Sequence, residues 1–192
     1  MSRRVLVAGL GNVLMSDDAI GPYCIAYLLA NYEFPPEVEV VDLGAPGLDL
    51  LLHIASADVV IAVDAIRDVE PGTLHAFDRA SLGNGSHGPR LDTHAPALDD
   101  AIAFVELVRG VQLDVVLIGV GGASFEHGTG LSCDAHRQLG ALAERVLREL
   151  AVRGVGWRDR ERPGAADAWW ERPSVPTSIF SDRRPLRDPP GS

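Results

Sequence analysis

A short apolar, β-branched run at residues 5–8 empties into a glycine turn, Gly9-Leu-Gly11. From there the chain passes through Asn12 to the paired acids Asp17 and Asp18 and on to Gly21. A strand that ends in glycine and gives way to helical spacing opens a strand–helix–strand unit. Ile20, Tyr23, Cys24, Tyr27 and Leu28 supply that spacing, with Pro22 tolerated in the first turn. The same alternation continues along the chain. Residues 38–41 read as a second strand ending at Asp42, and Leu48, Leu51, Leu52 and Ala55 as a short helix face. Residues 58–63 form a third strand ending at Asp64.

Beyond the turn signal Pro71-Gly72, residues 73–77 read as an antiparallel edge strand, followed by a Gly/Ser/Asn-rich loop over about 81–93. A third helix carries Leu98, Ile102, Val105 and Val108 on one face. Residues 115–120 are a further buried strand. Ser132 caps a last helix with Leu139, Leu142, Val146 and Leu150 inward. This order predicts an α/β fold in three layers, with helices on both faces of a mostly parallel sheet of about five strands, one an antiparallel edge strand. The ligand site of such a sheet lies at the carboxyl ends of its strands.

Composition divides the 192 residues unevenly. Residues 151–192 hold 8 arginines against 6 acids, which leaves 9 against 21 in residues 1–150. A body that acidic argues against nucleic acid, whose binding rests on basic residues neutralising phosphates. No stretch approaches the ~20 apolar residues of a membrane helix, and the Arg3-Arg4 start is not followed by a cleavable signal. A cytoplasmic, monomeric protein is expected, with Cys24 and Cys133 as reduced packing thiols. Residues 1–152 are expected to form the α/β domain. Residues 153–192, rich in Arg, Pro and Trp, are expected to be a disordered extension. Trp169-Trp170 carries the alternative reading of that extension as a docking tail with an apolar anchor.

The glycine turn is the place where a dinucleotide would sit, but Leu14 stands where the third glycine of the fingerprint belongs. Asp17 and Asp18 lie where the anion would lie. A carboxylate about 4 Å from a phosphate is repelled by roughly 4 kcal/mol at an effective dielectric near 20. The turn therefore suits a cation or a substrate proton, although Ser16 and Asp17 could equally cap the following helix. Asp18, Asp42 and Asp64 all fall at strand ends on one sheet edge, and His94 opens the third helix after the long loop. Two carboxylates and an imidazole with open positions suit a divalent metal such as nickel, zinc, iron or manganese. Asp42 and Asp64 could also serve as loop caps. Neither Gly-x-Ser-x-Gly nor His-Glu-x-x-His occurs, so a serine hydrolase or a typical zinc protease is unsupported.

Several blocks carry a resemblance: residues 9–21, residues 41–47 (Val-Asp-Leu-Gly-Ala-Pro-Gly) with Leu51-Leu52, and residues 61–66 (Ile-Ala-Val-Asp-Ala-Ile). Pro71-Gly72-Thr73, His94, residues 117–120 and residues 130–132 follow in the same order. Over about residues 5–150 the chain resembles the hydrogenase maturation proteases, which trim the C-terminus of the nickel–iron hydrogenase large subunit. The resemblance implies an endopeptidase acting on the nickel-loaded large-subunit precursor. It places Asp18, Asp64 and His94 as the catalytic and metal-binding set, with Asp42 in support; His127, in the glycine-rich stretch after the last strand, is the reserve ligand by position. The metal implied is nickel, the substrate's own, with another divalent metal in isolation. Asp18 stands where many members have glutamate, Gly122 where a proline is common, and His94 is followed by Ala-Pro. Two other function classes stay open from the residues alone: a non-catalytic nickel-checking or scaffold protein for hydrogenase assembly, and a nucleotide-binding module.

Overall fold

The computed structural model describes residues 3–45, 47–82 and 95–171. The main sheet contains β1 (Val5–Leu10), β3 (Val38–Gly44), β4 (Val59–Ile66), β5 (Leu74–Asp78) and β6 (Asp114–Gly121) in the order β3-β1-β4-β6-β5. The strand β2 (Tyr32–Glu33) lies outside it. Pairings β1–β3, β1–β4 and β4–β6 are parallel, and β5 runs antiparallel to β6 at the edge, as the sequence order predicts.

Strand alternation sorts the core into two layers. Val5 and Val7, Ile61 and Val63, and Val116 and Ile118 pack on one face beneath α1 (Ile20–Asn31) and α5 (Cys133–Val152). Leu6 and Ala8, Val60 and Ala62, and Val115 and Leu117 pack on the other, beneath α2 (Leu48–Ser56) and α4 (Ala95–Arg109). A four-residue helix, α3 (Arg79–Leu82), follows β5. At the start of α5 the Ser132 hydroxyl accepts the N–H of Ala135 at 3.2 Å, so the expected cap is present. Among the described residues, no helix is long and apolar enough to cross a membrane.

Three local expectations need correction. On α2, Leu50 and Ile54 are buried and Leu51 packs partly against the same layer, whereas Leu52 and Ala55 of the predicted face are exposed and the Leu48 side chain lies outside the described set. The Leu50-Leu51-Leu52 run leaves helical phase undetermined, and the sheet selects the i, i+4 pair. On α4, Leu98, Ile102 and Val105 are buried but Val108 is exposed. The next residue in line with that stripe is Arg109, whose guanidinium reaches Asp58 at 2.8 Å. Cys24 is a buried packing thiol, with its pKa pushed up to about 12 by desolvation, whereas Cys133 is exposed.

Residues 153–171 of the extension expected to be disordered instead pack on the body. After α5, Val155 and Trp157 rest against the α1–α5 core. β7 (Arg158–Asp159) pairs antiparallel with β2. The N–H groups of Arg160 and Gly164 bind the carbonyls of Asn31 and Ala30, and Arg160 Nε binds that of Leu29. These are C-terminal carbonyls of α1 that have no helical partner, and the returning chain satisfies them. Residues 172–192 lie outside the described set.

Candidate active site

Two carboxylates are delivered to the carboxyl edge of the sheet from adjoining elements. Asp64 is fully buried near the end of β4, opposite Gly119 of β6. Its Oδ1 accepts the N–H of Ala65 at 2.8 Å. Asp18, only 3% exposed, lies in the 3-10 turn Ser16–Ala19 that packs against β4. Its Oδ2 accepts the N–H of Asn12 at 2.8 Å. Burying a carboxylate costs several kcal/mol unless hydrogen bonds or a cation offset it. Two on adjoining elements make a shared cation more favourable still.

Close backbone approach holds the turn in place. Gly11 has φ +129°, and a Cβ there would stand 1.7 Å from the Asp18 carbonyl oxygen. At Gly21 a Cβ would lie 2.2–2.6 Å from backbone atoms of Leu10 and Val63, so α1 begins directly against β1 and β4. The nucleotide reading fails at the same turn. The Asn12 N–H, a donor that a phosphate would use, already serves the Asp18 carboxylate.

Asp42 lies opposite Gly9, exposed at the margin of this edge, and its Oδ1 accepts the N–H of Gly44 at 2.9 Å. Partial burial raises its carboxyl pKa and the Gly44 hydrogen bond pulls the other way. His94 lies outside the described residues. The helix it precedes in sequence is placed: Arg109, at the far end of α4, binds the Ala57 carbonyl and Asp58 at the start of β4. A 15-residue helix is about 22 Å long. Ala95 is thus at the opposite edge of the sheet, on the face that strand alternation assigns to Asp64. Among the described residues, no group of three or more His, Cys, Asp or Glu could hold a metal ion. The described donors are hard carboxylate oxygens, which with one imidazole suit a divalent cation. His127 is exposed, in the loop after β6.

Asp17 is the residue whose role sequence reasoning missed. It does not cap α1. Fully buried, its Oδ2 accepts the N–H groups of Ala123 and Ser124 at 2.7 and 3.1 Å, and its Oδ1 that of Ser132 at 2.6 Å. Ser16 adds two bonds to the same loop, N–H to the Gly128 carbonyl and hydroxyl to that of Glu126, both at 2.9 Å. Arg67, just past β4, covers the Phe125 ring at 3.7 Å. The loop at 122–132 is therefore fixed as a wall of the site. The signal available in the sequence was the acid pair itself: one acid binds the turn at Asn12 and its neighbour holds the loop at 122–132.

The hydrogenase maturation protease family model matches residues 22–149, a stretch that contains Asp42, Asp64 and His94 and starts just past Asp18. The chain is 31% identical over 160 residues to the hydrogenase 2 maturation protease of Escherichia coli K12, covering 82% of this chain and 97% of that protein. It is 30% identical over 162 residues to the hydrogenase expression/formation protein HupM of Azotobacter chroococcum, covering 83% of this chain and 78% of that one. The fold matches the hydrogenase maturating endopeptidase HybD from E. coli with a TM-score of 0.73 at 30% identity, covering 82% of this chain and 98% of the other. With the sheet order, the buried acids and these likenesses in agreement, the chain belongs to the hydrogenase maturation protease family and is an endopeptidase of that family.

Proposed function

We propose that the chain removes the C-terminal extension of a nickel-loaded nickel–iron hydrogenase large-subunit precursor, reading the substrate's own metal through Asp18, Asp64 and His94. The observation that supports this reading is the burial of two carboxylates at one sheet edge, delivered separately by β4 and by the turn between β1 and α1. A cation between two carboxylates held so close to one edge would be bound by charge as well as by geometry. Oxygen donors from Asp18 and Asp64 and a nitrogen from His94 leave other positions on the nickel to the substrate and so orient the scissile peptide beside it. Hydrolysis needs a water deprotonated as it attacks the carbonyl, and the site offers carboxylates as general bases. The loop at 122–132, held by Asp17, walls the site.

Intact mass of the nickel–iron hydrogenase large subunits in cells lacking this gene tests the proposal, with complementation by wild type or by His94→Ala. The expected result is one subunit that keeps its C-terminal extension and is trimmed only when wild type is restored. Trimming of every subunit without the gene would overturn the reading. A precursor that binds the purified, nickel-supplied chain without any product mass would favour a nickel-checking scaffold instead.

A further inference from the structure

We propose that the outer face of α4 is a homodimer interface, across which a second copy of this chain lays the same helix antiparallel. The pairing is independent of the protease reading and departs from the monomer expected from the sequence.

Nine large apolar side chains are exposed among the described residues, and four of them, Phe104, Leu107, Val108 and Val111, fall within one short stretch. Phe104, Leu107 and Val108 share a face of α4 by their spacing of three and four, while Leu98, Ile102 and Val105 turn to the sheet. Val111 continues the apolar surface just past the helix end. The neighbours of this face are small: Ala103 on α4 and Gly110 at its end let a second helix come close.

The area matches what a dimer needs. Phe104 is 54% exposed, Leu107 81%, Val108 69% and Val111 50%. Together they leave roughly 400 Å² of apolar surface in water, at about 150–200 Å² for a fully exposed large side chain. Single exposed apolar residues are ordinary, whereas a patch of that size is often functional. Non-obligate interfaces are about 57% apolar, so the patch is the apolar share of roughly 700 Å² per copy. That approaches the ~800 Å² per partner of a standard complex.

Charge selects a second copy as the occupant. Residues 1–150 carry 21 acids against 9 arginines, so two copies repel wherever uncompensated acids meet. Between Ala101 and Gln112 the charged residues are Glu106 and Arg109, and both are neutralised within the chain. Arg79 holds Glu106 at 3.0 Å, and Arg109 holds Asp58 at 2.8 Å. A basic partner would find no uncompensated acid in this span, but an identical face meets no like charge. The patch is also self-complementary about a two-fold axis beside Leu107, with Phe104 of each copy toward Val111 of the other. Asp100 lies about 6 Å before Phe104 along the helix, opposite the point where the second copy's helix has ended. Phe104 is about 14 Å along α4 from Ala95, so the edge that carries Asp18 and Asp64 stays open in both copies.

Sedimentation equilibrium of the full chain at about 100 µM should give twice the monomer mass. Leu107→Glu should return it to the monomer mass, with urea midpoint and precursor processing as in wild type, because the leucine it replaces is mostly exposed. Leu52→Glu, at an exposed leucine on α2, should leave the dimer intact. In a Cys133→Ser background, which removes the exposed native thiol, Leu107→Cys should cross-link to its copy under diamide and Leu52→Cys should not. A monomer at about 100 µM would overturn the pairing, even where a client protein shields position 107. So would a dimer that survives Leu107→Glu, or cross-linking of Leu52→Cys equal to that of Leu107→Cys.

Discussion

Asp17 and Ser132, 115 positions apart in sequence, are joined by a 2.6 Å hydrogen bond from the Ser132 N–H to the buried Asp17 carboxylate. The bond ties the turn that carries Asp18 to the N-terminus of α5, and two more N–H donors from the same loop share the carboxylate. An asparagine there loses the charge and turns an NH2 group toward backbone donors. Asp17→Asn should destabilise the fold by about 3 kcal/mol, the cost of leaving buried donors unsatisfied. Asp18→Asn keeps an oxygen for Asn12 and removes a buried charge, so it should stay within about 1 kcal/mol of wild type. Urea unfolding midpoints distinguish the two. Equal losses would remove the division of labour between the neighbouring acids.

Glycine at position 11 is set by space as well as by φ. Gly11→Ala forces a Cβ to within 1.7 Å of the Asp18 carbonyl oxygen, so the turn must move. Gly110 supplies the control, with φ +66° and no atom within 4 Å of the place a Cβ would occupy. Gly110→Ala should cost only the left-handed penalty, about 1 kcal/mol. Gly11→Ala should cost more than about 3 kcal/mol or prevent folding, with loss of precursor processing. Melting temperatures of the two variants check the ranking.

The fold was legible because the three central strands β1, β4 and β6 are nearly continuous apolar runs, with helical spacing between them. Residues 5–8 and 58–63 needed only their β-branched content and the turn residues around them. The phase of α2 was hidden, since three consecutive leucines fit several faces and the sheet decides among them. Val108 was misplaced because Arg109 takes the inward direction and reaches an acid, a contact that periodicity of apolar residues cannot register. The chain at 153–171 reads as disordered in the sequence for a related reason. Its anchoring comes from backbone groups left over by α1 and from scattered tryptophans, neither of which has a period. In the candidate site, the burial of Asp64 at the end of an apolar strand could be read from the sequence. Asp17 could not, because its partners lie more than a hundred residues away in a loop with no pattern of its own.

Arg153 joins α5 to the start of β6. It binds Asp114 at 2.7 and 3.1 Å and Glu149 at 2.6 Å, and Arg145 also holds Glu149 at 2.7 Å. Burial pushes both carboxyls up, but the hydrogen bonds and charges of the arginines outweigh it and leave both below their ordinary values of 3.8 and 4.5. Carboxyls depressed in the folded state stabilise it above their unfolded pKa, and that contribution is lost as pH falls through the folded pKa. Stability should therefore decline as the pH drops below about 4.5. Arg153→Ala should lower stability at pH 7 by about 2 kcal/mol, discounted from a fully buried pair because Asp114 is partly exposed. It should also flatten the decline. Urea melts of both proteins between pH 3 and 7 measure it.

Tyr23 reports on the returning chain. Burial, then its hydrogen bond to Glu171, raises the Tyr23 pKa to about 12 from 10.0. A phenol whose folded pKa is raised contributes stability below pH 10 and loses it as the pH climbs toward 12. Absorbance titration near 295 nm should show both Tyr23 and Tyr32 ionising late, since burial raises the Tyr32 pKa as well. Glu171→Gln should bring one of the two part of the way down, and Trp170→Ala further, because the second change also exposes the Tyr23 ring. A titration unchanged in both variants would mean that residues 169–171 do not cover Tyr23 in solution.

Metal binding should follow the protonation of the proposed ligands. Carboxylates and a neutral imidazole must release their protons before they bind a cation. An unperturbed histidine titrates near 6.5 and a carboxylate near 4. Nickel affinity of the purified chain should therefore fall about tenfold for each pH unit below about 6.5, and more steeply once the carboxylates protonate. His94→Ala should remove the upper limb of that profile. Asp64→Asn should abolish measurable nickel binding and cut precursor processing by more than about a hundredfold, with little loss of stability because a buried charge goes with it. Isothermal titration across pH 5–8 with the three proteins separates these effects. A pH-independent nickel affinity, or wild-type affinity in Asp64→Asn, would count against the proposed nickel site.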